Sequence, residues 1–418
     1  MEEKRVMNRW LVVVGAILIQ LALGAIYAWS VFTPDLTAAG WSKMDTQVVF
    51  SVGLAAFALF MVFSGKRLNA WGPQKLAMLG GVILGAGYIL AGLFGGTGFW
   101  ALVLLIGLVG GAGIGIAYVV PIAVGMRWFP DKKGMITGLA VAGFGFGAMG
   151  WVKLAGSWGH LIESMGLSST FLVYGIAFAA MVIIGGLWMK YPPEGWLPKG
   201  YTPPEPAAGA SAKGTVNFTS SQMLKTPQFY MIFLTFVFSA GAGLMSIGLM
   251  KLYPIEALQN AGMDAVSASA VAGTAMAVFF SLANGLGRIL WGMMSDKLGR
   301  KTSIIIMTAT QGIIVILFTF MAGNEILLYI GATLIGFNFG GNFALFPTIT
   351  ADTFGTKNVG QNYPFVFLSY GVGGILGPML GGRLGDLGNF GLAFTITGVA
   401  VLIGTVLTIL LKTPKKAE

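Results

Sequence analysis

The chain has 418 residues, of which 56% are hydrophobic and only 10% are charged. A soluble domain carries roughly 25% charged residues, so this composition excludes a water-soluble globular protein and favours one with many membrane spans. The sequence contains no cysteine and one histidine, His160, which excludes disulfides and thiolate metal sites. We therefore expect no metal and no cofactor. The net charge is +10, and the basic residues lie in short segments between apolar runs. This distribution favours contact with a lipid bilayer over binding of nucleic acid.

Apolar runs of about 18 residues or more predict membrane helices. The first run begins at Trp10 and is too long for the core of a signal peptide, so we interpret it as a retained first span. In chain order the runs predict twelve spans, near residues 10–34, 46–66, 74–95, 99–126, 134–156, 168–189, 228–252, 266–294, 301–322, 326–351, 361–384 and 390–411.

The segment between the sixth and seventh runs is rich in Pro, Gly, Ala and Lys and predicts a hydrophilic linker. It divides the chain into an N-terminal six-helix bundle, 1–190, a cytoplasmic linker, 191–227, and a C-terminal six-helix bundle, 228–418. The predicted class is an all-α integral membrane protein of two pseudo-symmetric halves.

Lys and Arg are unevenly distributed among the predicted loops. Most of the 25 basic residues fall on one side, together with both termini and the linker, whereas the other side holds Lys43, Lys153, Lys251 and Arg383. Because basic loops stay in the cytoplasm, we expect a multi-pass protein of the plasma (inner) membrane with both termini cytoplasmic.

The two predicted halves repeat each other at a nearly constant spacing. A parallel repeat of this kind places a transport site near the middle of the bilayer, where the halves meet. The matched landmarks, at offsets of 226 or 227 residues, are Gly65 and Gly72 with Gly292 and Gly299, Pro121 with Pro347, Gly134 with Gly360, Gly145 with Gly371, and Gly147 with Gly373.

One loop carries a family resemblance. The residues Gly292-Met-Met-Ser-Asp-Lys-Leu-Gly-Arg-Lys301 resemble the signature loop between helices 8 and 9 of the major facilitator superfamily. The matching loop of the first half is degenerate, with Asn69 in the place of Asp296. The resemblance implies the fold of that superfamily and a gating role, rather than a substrate contact, for Gly292, Asp296, Gly299 and Arg300.

Arg288 is the most deeply placed charge in the sequence. It precedes Asp296 by eight residues, or about 12 Å along a helix, which approaches the centre of a ~30 Å hydrocarbon layer. A charge at that depth is costly and usually functional, although a structural ion pair is the alternative. A guanidinium matches a carboxylate in shape and charge. Asn284, four residues earlier, either binds the substrate, orients the arginine or joins helices.

Other polar residues of the middle layer are weaker candidates for substrate binding. Tyr118 precedes Arg127 by nine residues, or about 13 Å, and is either a substrate contact or a packing residue. Asn342 lies among glycines of the tenth span, and Tyr370 lies in the eleventh.

A closer resemblance covers nearly the whole chain. The residues Ala283-Asn-Gly-Leu-Gly-Arg-Ile-Leu-Trp-Gly292, Met223-Leu-Lys-Thr-Pro-Gln-Phe-Tyr230 and Phe343-Ala-Leu-Phe-Pro347 resemble the oxalate:formate antiporter family, which is close to the monocarboxylate (lactate) transporters. The resemblance implies that Arg288 binds a substrate carboxylate. Oxalate exchangers of that family carry a lysine where Tyr370 stands, and its absence here favours a monoanion.

These observations predict a secondary transporter that works by alternating access. One chain of twelve spans suffices for this architecture, so we expect a monomer. The first hypothesis is proton-linked transport of a monocarboxylate such as lactate or pyruvate, and the second is exchange of carboxylates of the oxalate and formate type. A carboxylate sensor is a third, but the sequence has no signalling domain.

Two further expectations concern chemistry. Paired catalytic residues are absent from the sequence, so we do not expect an enzyme. Arginine does not titrate, so a coupled proton needs another carrier. The candidates are Asp264, Glu256, His160 and the bound anion itself.

Overall fold

The computed structural model describes residues 6–41, 43–155, 159–202, 217–249, 252–412 and 414. Within these residues, twelve helices are long and apolar enough to cross a membrane, so the prediction of twelve spans is confirmed. The helices are α1 (Trp10–Trp29), α2 (Val48–Trp71), α3 (Pro73–Gly95), α4 (Phe99–Trp128), α5 (Lys133–Ala155), α6 (Leu161–Gly186), α7 (Pro227–Leu249), α8 (Ala265–Leu298), α9 (Arg300–Met321), α10 (Glu325–Phe354), α11 (Val359–Gly385) and α12 (Phe390–Leu410).

The first predicted span is longer than the helix that forms. The apolar run from Trp10 to residue 34 contains a 3₁₀ segment, Gly24–Val31, and a separate short helix, Thr33–Ala38, follows it. Hydropathy does not register this change of helix type, because the segment Gly24–Val31 remains largely apolar. Short helices also form at Ser220–Met223 before α7 and at Leu252–Asn260 before α8.

The chain separates into two compact units. One comprises Met1–Ala212 with Val359–Pro364, and the other comprises Lys213–Asn358 with Phe365–Glu418. The same helix pairs pack in each: α2 with α4, α3 with α6 and α3 with α4 in the first unit, and α8 with α10, α9 with α12 and α9 with α10 in the second. The predicted boundaries at 190, 191, 227 and 228 stay predictions.

Equivalent glycines adopt the same backbone conformation in the two units. Gly72 joins α2 to α3 with φ 80° and ψ 153°, and Gly299 joins α8 to α9 with φ 84° and ψ 153°. Only glycine adopts such a positive φ readily, which explains why both tight connections use it. Pro121 and Pro347 likewise both lie inside helices, in α4 and α10. The internal repeat is therefore present in the backbone as well as in the sequence.

Parts of the predicted linker pack against the ends of helices. The Trp128 Nε1 donates to the carbonyl of Lys190 at 2.7 Å, and the Trp128 and Trp196 ring centroids are 4.8 Å apart. In the second unit the Phe218 amide donates to the carbonyl of Phe354 at 2.9 Å. Trp196 and Phe218 of the predicted hydrophilic linker therefore pack against helix ends of their own units. Its residues 203–216 lie outside the described residues, as do Lys251 and residues 1–5.

Candidate functional site

The guanidinium of Arg288 is fully buried within the second unit. Its relative exposure is 0%, and its Cζ lies 4.0 Å from the centroid of the Phe343 ring. Its Nε donates a hydrogen bond to Asn284 Oδ1 at 3.2 Å, one helical turn earlier in α8. Asn284 is thus a hydrogen-bond acceptor for the arginine in this structure, and its predicted contact with substrate stays a prediction. A cation over an aromatic face in a desolvated place is stabilised by about 2 kcal/mol.

Glycines bring α8 and α10 close enough for this contact. A Cβ on Gly340 would overlap the backbone carbonyl of Asn284, and one on Gly287 would overlap that of Phe337. Gly336 meets the backbone of Phe280 in the same way. Small residues of this kind allow membrane helices to approach backbone to backbone. The glycine pattern therefore determines how near Arg288 comes to the aromatic face of α10.

Phe343 links Arg288 to a group of aromatic rings on α11. Its centroid lies 5.5 Å from that of Tyr370, which in turn stacks on Phe367 at 4.9 Å. Tyr370 is fully buried, so the position carries a neutral aromatic ring next to the partner of the buried cation. Phe343 was not among the predicted site residues, although it follows Asn342 and contacts Arg288.

Asn342 belongs to a hydrogen-bonded group that joins three helices. Its Oδ1 lies 2.7 Å from the Ser239 hydroxyl of α7, which also lies 2.6 Å from Gln311 Oε1 of α9. Sequence reasoning missed Ser239 and Gln311, because single polar residues in distant spans give no pattern. The role of Asn342 as a substrate contact stays a prediction.

Tyr118 lies in the first unit, where it is fully buried. Its ring makes edge-to-face contacts with Phe57 and Phe144, at centroid distances of 5.0 and 5.5 Å. Its carbonyl accepts a hydrogen bond from Gln20 Nε2 at 3.3 Å. These contacts describe how the residue packs, and its predicted contact with substrate is untested.

The signature loop forms an ion-pair network at the ends of three helices. Arg300 Nη2 lies 2.6 Å from Asp296 Oδ1 of α8, and its Nε lies 3.2 Å from Asp352 Oδ2 of α10. Gly299 makes the turn that brings Arg300 back over Asp296, while Gly292 lies within α8. Arg300 thus connects the ends of α8 and α10, an arrangement suited to the predicted gating role.

Asp264 caps the N-terminus of α8. Its Oδ1 accepts hydrogen bonds from the backbone amides of Val266 and Ser267, both at 3.0 Å. Hydrogen bonds from Ser267, followed by those from the backbone, hold the pKa of this exposed carboxyl below its ordinary value. This is ordinary N-cap geometry, and it gives no indication of proton transfer. His160 lies 3.0 Å from Glu163 in an exposed pair.

Comparison with known proteins decides the family. The sequence profile of the Major Facilitator Superfamily matches residues 10–280 and 266–418. The chain belongs to the major facilitator superfamily. It is therefore a multi-pass membrane transporter and not an enzyme, and the predicted resemblance is confirmed.

The chain is similar to several curated members of this superfamily. It is 30% identical over 378 residues to the uncharacterized MFS-type transporter YhjX of Escherichia coli, covering 88% of this chain and 86% of that one. It is 26% identical over 403 residues to the oxalate:formate antiporter of Oxalobacter formigenes, covering 95% and 90%. Its identity to monocarboxylate transporter 13 of Rattus norvegicus is 24% over 402 residues, covering 95% and 87%.

Solved structures of the superfamily share the fold. The proton:xylose symporter XylE matches with a TM-score of 0.69 at 14% identity, covering 97% of this chain and 96% of that one. The fucose:proton symporter FucP of E. coli matches with a TM-score of 0.68 at 14% identity, covering 97% and 98%. These similarities show that the chain shares the fold of these transporters.

Proposed function

We propose that this transporter carries a small organic carboxylate and that Arg288 binds the carboxylate group. The observation that supports this most strongly is the complete burial of the guanidinium against Phe343, with its Nε held by Asn284. A cation in the hydrocarbon layer costs ~2.5–3.5 kcal/mol or more. An anion bound beside it reduces that cost, and a guanidinium offers the parallel hydrogen bonds that a carboxylate accepts.

The relatives favour exchange of carboxylates by alternating access. The chain aligns with an oxalate:formate antiporter over 95% of its length, and an exchanger needs no titratable group at the site. Arginine stays protonated, so binding of an anion lowers the net charge of the site. In this proposal the empty carrier resists reorientation, because a buried positive charge is unfavourable, and each step across the membrane requires a bound anion.

Proton-linked transport of a monocarboxylate is the second candidate. Tyr370 places a neutral ring where oxalate exchangers of the resembled family carry a lysine, and one cation matches one carboxylate better than two. Similarity to a monocarboxylate transporter over 95% of the chain also supports this candidate. Because arginine does not titrate, the proton would then need another carrier, for which Asp264, Glu256, His160 and the bound anion are the candidates.

Uptake into proteoliposomes distinguishes the two candidates. Labelled oxalate, formate and lactate are each offered to vesicles with and without internal unlabelled anion, and with and without a pH gradient. Exchange requires internal anion and is indifferent to the gradient. Symport proceeds into empty vesicles, is accelerated by an acidic exterior and acidifies the interior. Absence of flux with all three anions in both formats would contradict the proposed substrate class.

Orientation and location belong to the same proposal. The distribution of Lys and Arg favours both termini in the cytoplasm and the protein in the plasma (inner) membrane. Labelling of single cysteines introduced at exposed loop positions tests this directly, because the chain has no native cysteine.

A further inference from the structure

Three buried polar side chains meet in the interior of the second unit. Ser239 of α7, Gln311 of α9 and Asn342 of α10 all have 0% exposure. The Ser239 Oγ lies 2.6 Å from Gln311 Oε1 and 2.7 Å from Asn342 Oδ1. The Gln311 Nε2 donates to the backbone carbonyl of Ser239 at 2.9 Å. We call these three residues the polar bridge.

The proton count of the polar bridge does not balance when both oxygens face Ser239. A serine hydroxyl carries one proton, so it cannot donate to two acceptors at once. The orientation of Gln311 is fixed, because its Nε2 already donates to a carbonyl. The Ser239 proton therefore goes to Gln311 Oε1, and the short contact with Asn342 Oδ1 is left with two oxygens and no proton between them.

Turning the Asn342 amide by half a rotation removes this conflict. The oxygen and nitrogen of an amide have nearly the same shape, so their order follows from the hydrogen-bond network. With Nδ2 facing Ser239, the hydroxyl donates to Gln311 and accepts from Asn342. In the other order, Asn342 Nδ2 has no hydrogen-bond partner among the described residues. We propose that Asn342 is a positioning residue that donates through Nδ2 to Ser239 Oγ and thereby holds Phe343 against Arg288.

The helix geometry connects the polar bridge to Arg288. Successive residues of a helix point about 100° apart, so fixing Asn342 toward α7 and α9 turns Phe343 toward α8. On the α8 side, α10 presents Gly336 and Gly340, which have no side chains to interlock with a neighbour. The backbone of α8 therefore lies against this face of α10, and the directional hydrogen bond on the opposite side adds a second constraint on the rotation of α10.

An aspartate at position 342 reports the order of the amide. It has the shape of asparagine but donates a hydrogen bond only when it is protonated. Among the described residues, Arg288 is the one charged group on the helices packed against α10 that does not lie near a helix end. The titratable hydroxyl near this part of α10 is that of Tyr370. Burial favours the neutral form of this carboxyl, and Arg288 favours its ionised form. A pH series from 5 to 8 therefore tests which of the two forms position 342 carries.

A double-mutant cycle on the melting temperature tests the order without any substrate. The purified wild type, Asn342→Asp, Ser239→Ala and the double variant are melted in detergent from pH 5 to pH 8. Because Asn342 already bonds Ser239 in the wild type, the cycle reports the difference between the aspartate and asparagine contacts. We expect almost no coupling at pH 5, where the neutral carboxyl donates to Ser239 as the amide does, and a destabilising coupling toward pH 8, where the carboxylate cannot donate. A stabilising coupling toward pH 8 would mean that the group at position 342 accepts from Ser239, which overturns the proposed order.

Transport kinetics test the positioning role, and this part rests on the proposed carboxylate function. If one hydrogen bond that orients the site is lost, KM should rise about tenfold, and we expect this in Asn342→Leu and in Ser239→Ala. Ser239→Thr keeps the hydroxyl and should keep the wild-type KM. In a Phe343→Leu background, Asn342→Leu should add nothing to KM, because it acts through that ring. Asn338→Leu is the matched control; its amide donates to Thr310 at 3.1 Å, and its KM should stay at the wild-type value.

The two parts fail separately. An unchanged KM in Asn342→Leu, or additive effects with Phe343→Leu, would contradict the positioning role. If the wild type carries no carboxylate, the proposed function fails, while the melting cycle still decides the amide order. In that case the melting temperatures of Asn342→Leu, Phe343→Leu and the double variant decide whether the polar bridge acts on the ring. Non-additive shifts support this action, and additive shifts overturn the positioning role.

Discussion

The Cζ of Arg288 lies 4.0 Å from the centre of the Phe343 ring, and both side chains are buried. The ring is held by Tyr370 on one side and, in our proposal, by the polar bridge through Asn342. The arginine is held by Asn284. The proposed carboxylate site thus consists of a cation fixed by its own helix and an aromatic face supplied by another, so changes to either partner should alter anion affinity.

Replacing Phe343 by leucine removes the aromatic face and keeps an apolar side chain of related size. A desolvated cation–π contact is worth about 2 kcal/mol, so if the ring holds the guanidinium in its binding position, KM for the transported carboxylate should rise, with about 30-fold as the upper limit. Phe346→Leu is the control. Phe346 lies on the same helix as Phe343, but its ring stacks on Phe236 of α7, at a centroid distance of 4.2 Å. Equal KM values for the two variants would show that the ring at 343 has no special role.

Gly340→Ala should disturb the contact between α8 and α10. The added Cβ would overlap the carbonyl of Asn284, and overpacking of this kind costs ~1–3 kcal/mol. We expect a lower melting temperature and weaker transport. Gly382→Ala is the matched control, since a Cβ there meets nothing within 4 Å. If both variants have the melting temperature of the wild type, the helices are not in close contact at Gly340.

Tyr370→Lys restores the second cation of the resembled oxalate exchangers. Two positive charges match a dianion better than one, so inhibition of labelled uptake by oxalate should strengthen relative to inhibition by lactate or formate. Tyr370→Phe controls for loss of the hydroxyl and should leave the ratio unchanged. A folded lysine variant with the wild-type ratio would refute the argument from charge number.

Asp264→Asn separates capping from proton transfer. Asparagine caps a helix about as well as aspartate, whereas it carries no proton. Because the pKa of Asp264 is lowered, the carboxylate remains ionised near neutral pH, and its stabilising contribution is lost only as the pH falls through that lowered pKa. Under the second candidate function, proton-linked uptake, we expect the coupling to protons to be retained in Asp264→Asn. Loss of proton coupling, measured as internal acidification, would restore Asp264 as a carrier.

The twelve spans were predictable because membrane helices require long apolar runs whatever their packing. The burial of Arg288 was predictable for a similar reason, since a charge inside such a run can be located by counting residues from a loop. The end of the first span was not, because the 3₁₀ segment Gly24–Val31 is still largely apolar and continues the run without a break.

The partners of Arg288 were only partly predictable. Asn284 shares its helix face and could be inferred from a spacing of four residues. Phe343 is one of 30 phenylalanines, and its selection depends on the rotation of α10 about its axis. Ser239 lies 72 residues from Gln311 and 103 from Asn342. No local pattern joins residues so far apart in the chain, and only the folded structure brings them together.

Binding of labelled carboxylate to purified Arg288→Lys tests the central claim most directly. Lysine keeps the positive charge but loses the planar fork and the hydrogen bond that Arg288 Nε makes to Asn284, so we predict that affinity falls by at least about tenfold. Arg383→Lys, the same change at an exposed position near the end of α11, should bind as the wild type does. Wild-type affinity in a folded Arg288→Lys variant would contradict the assignment of Arg288 as the carboxylate-binding residue.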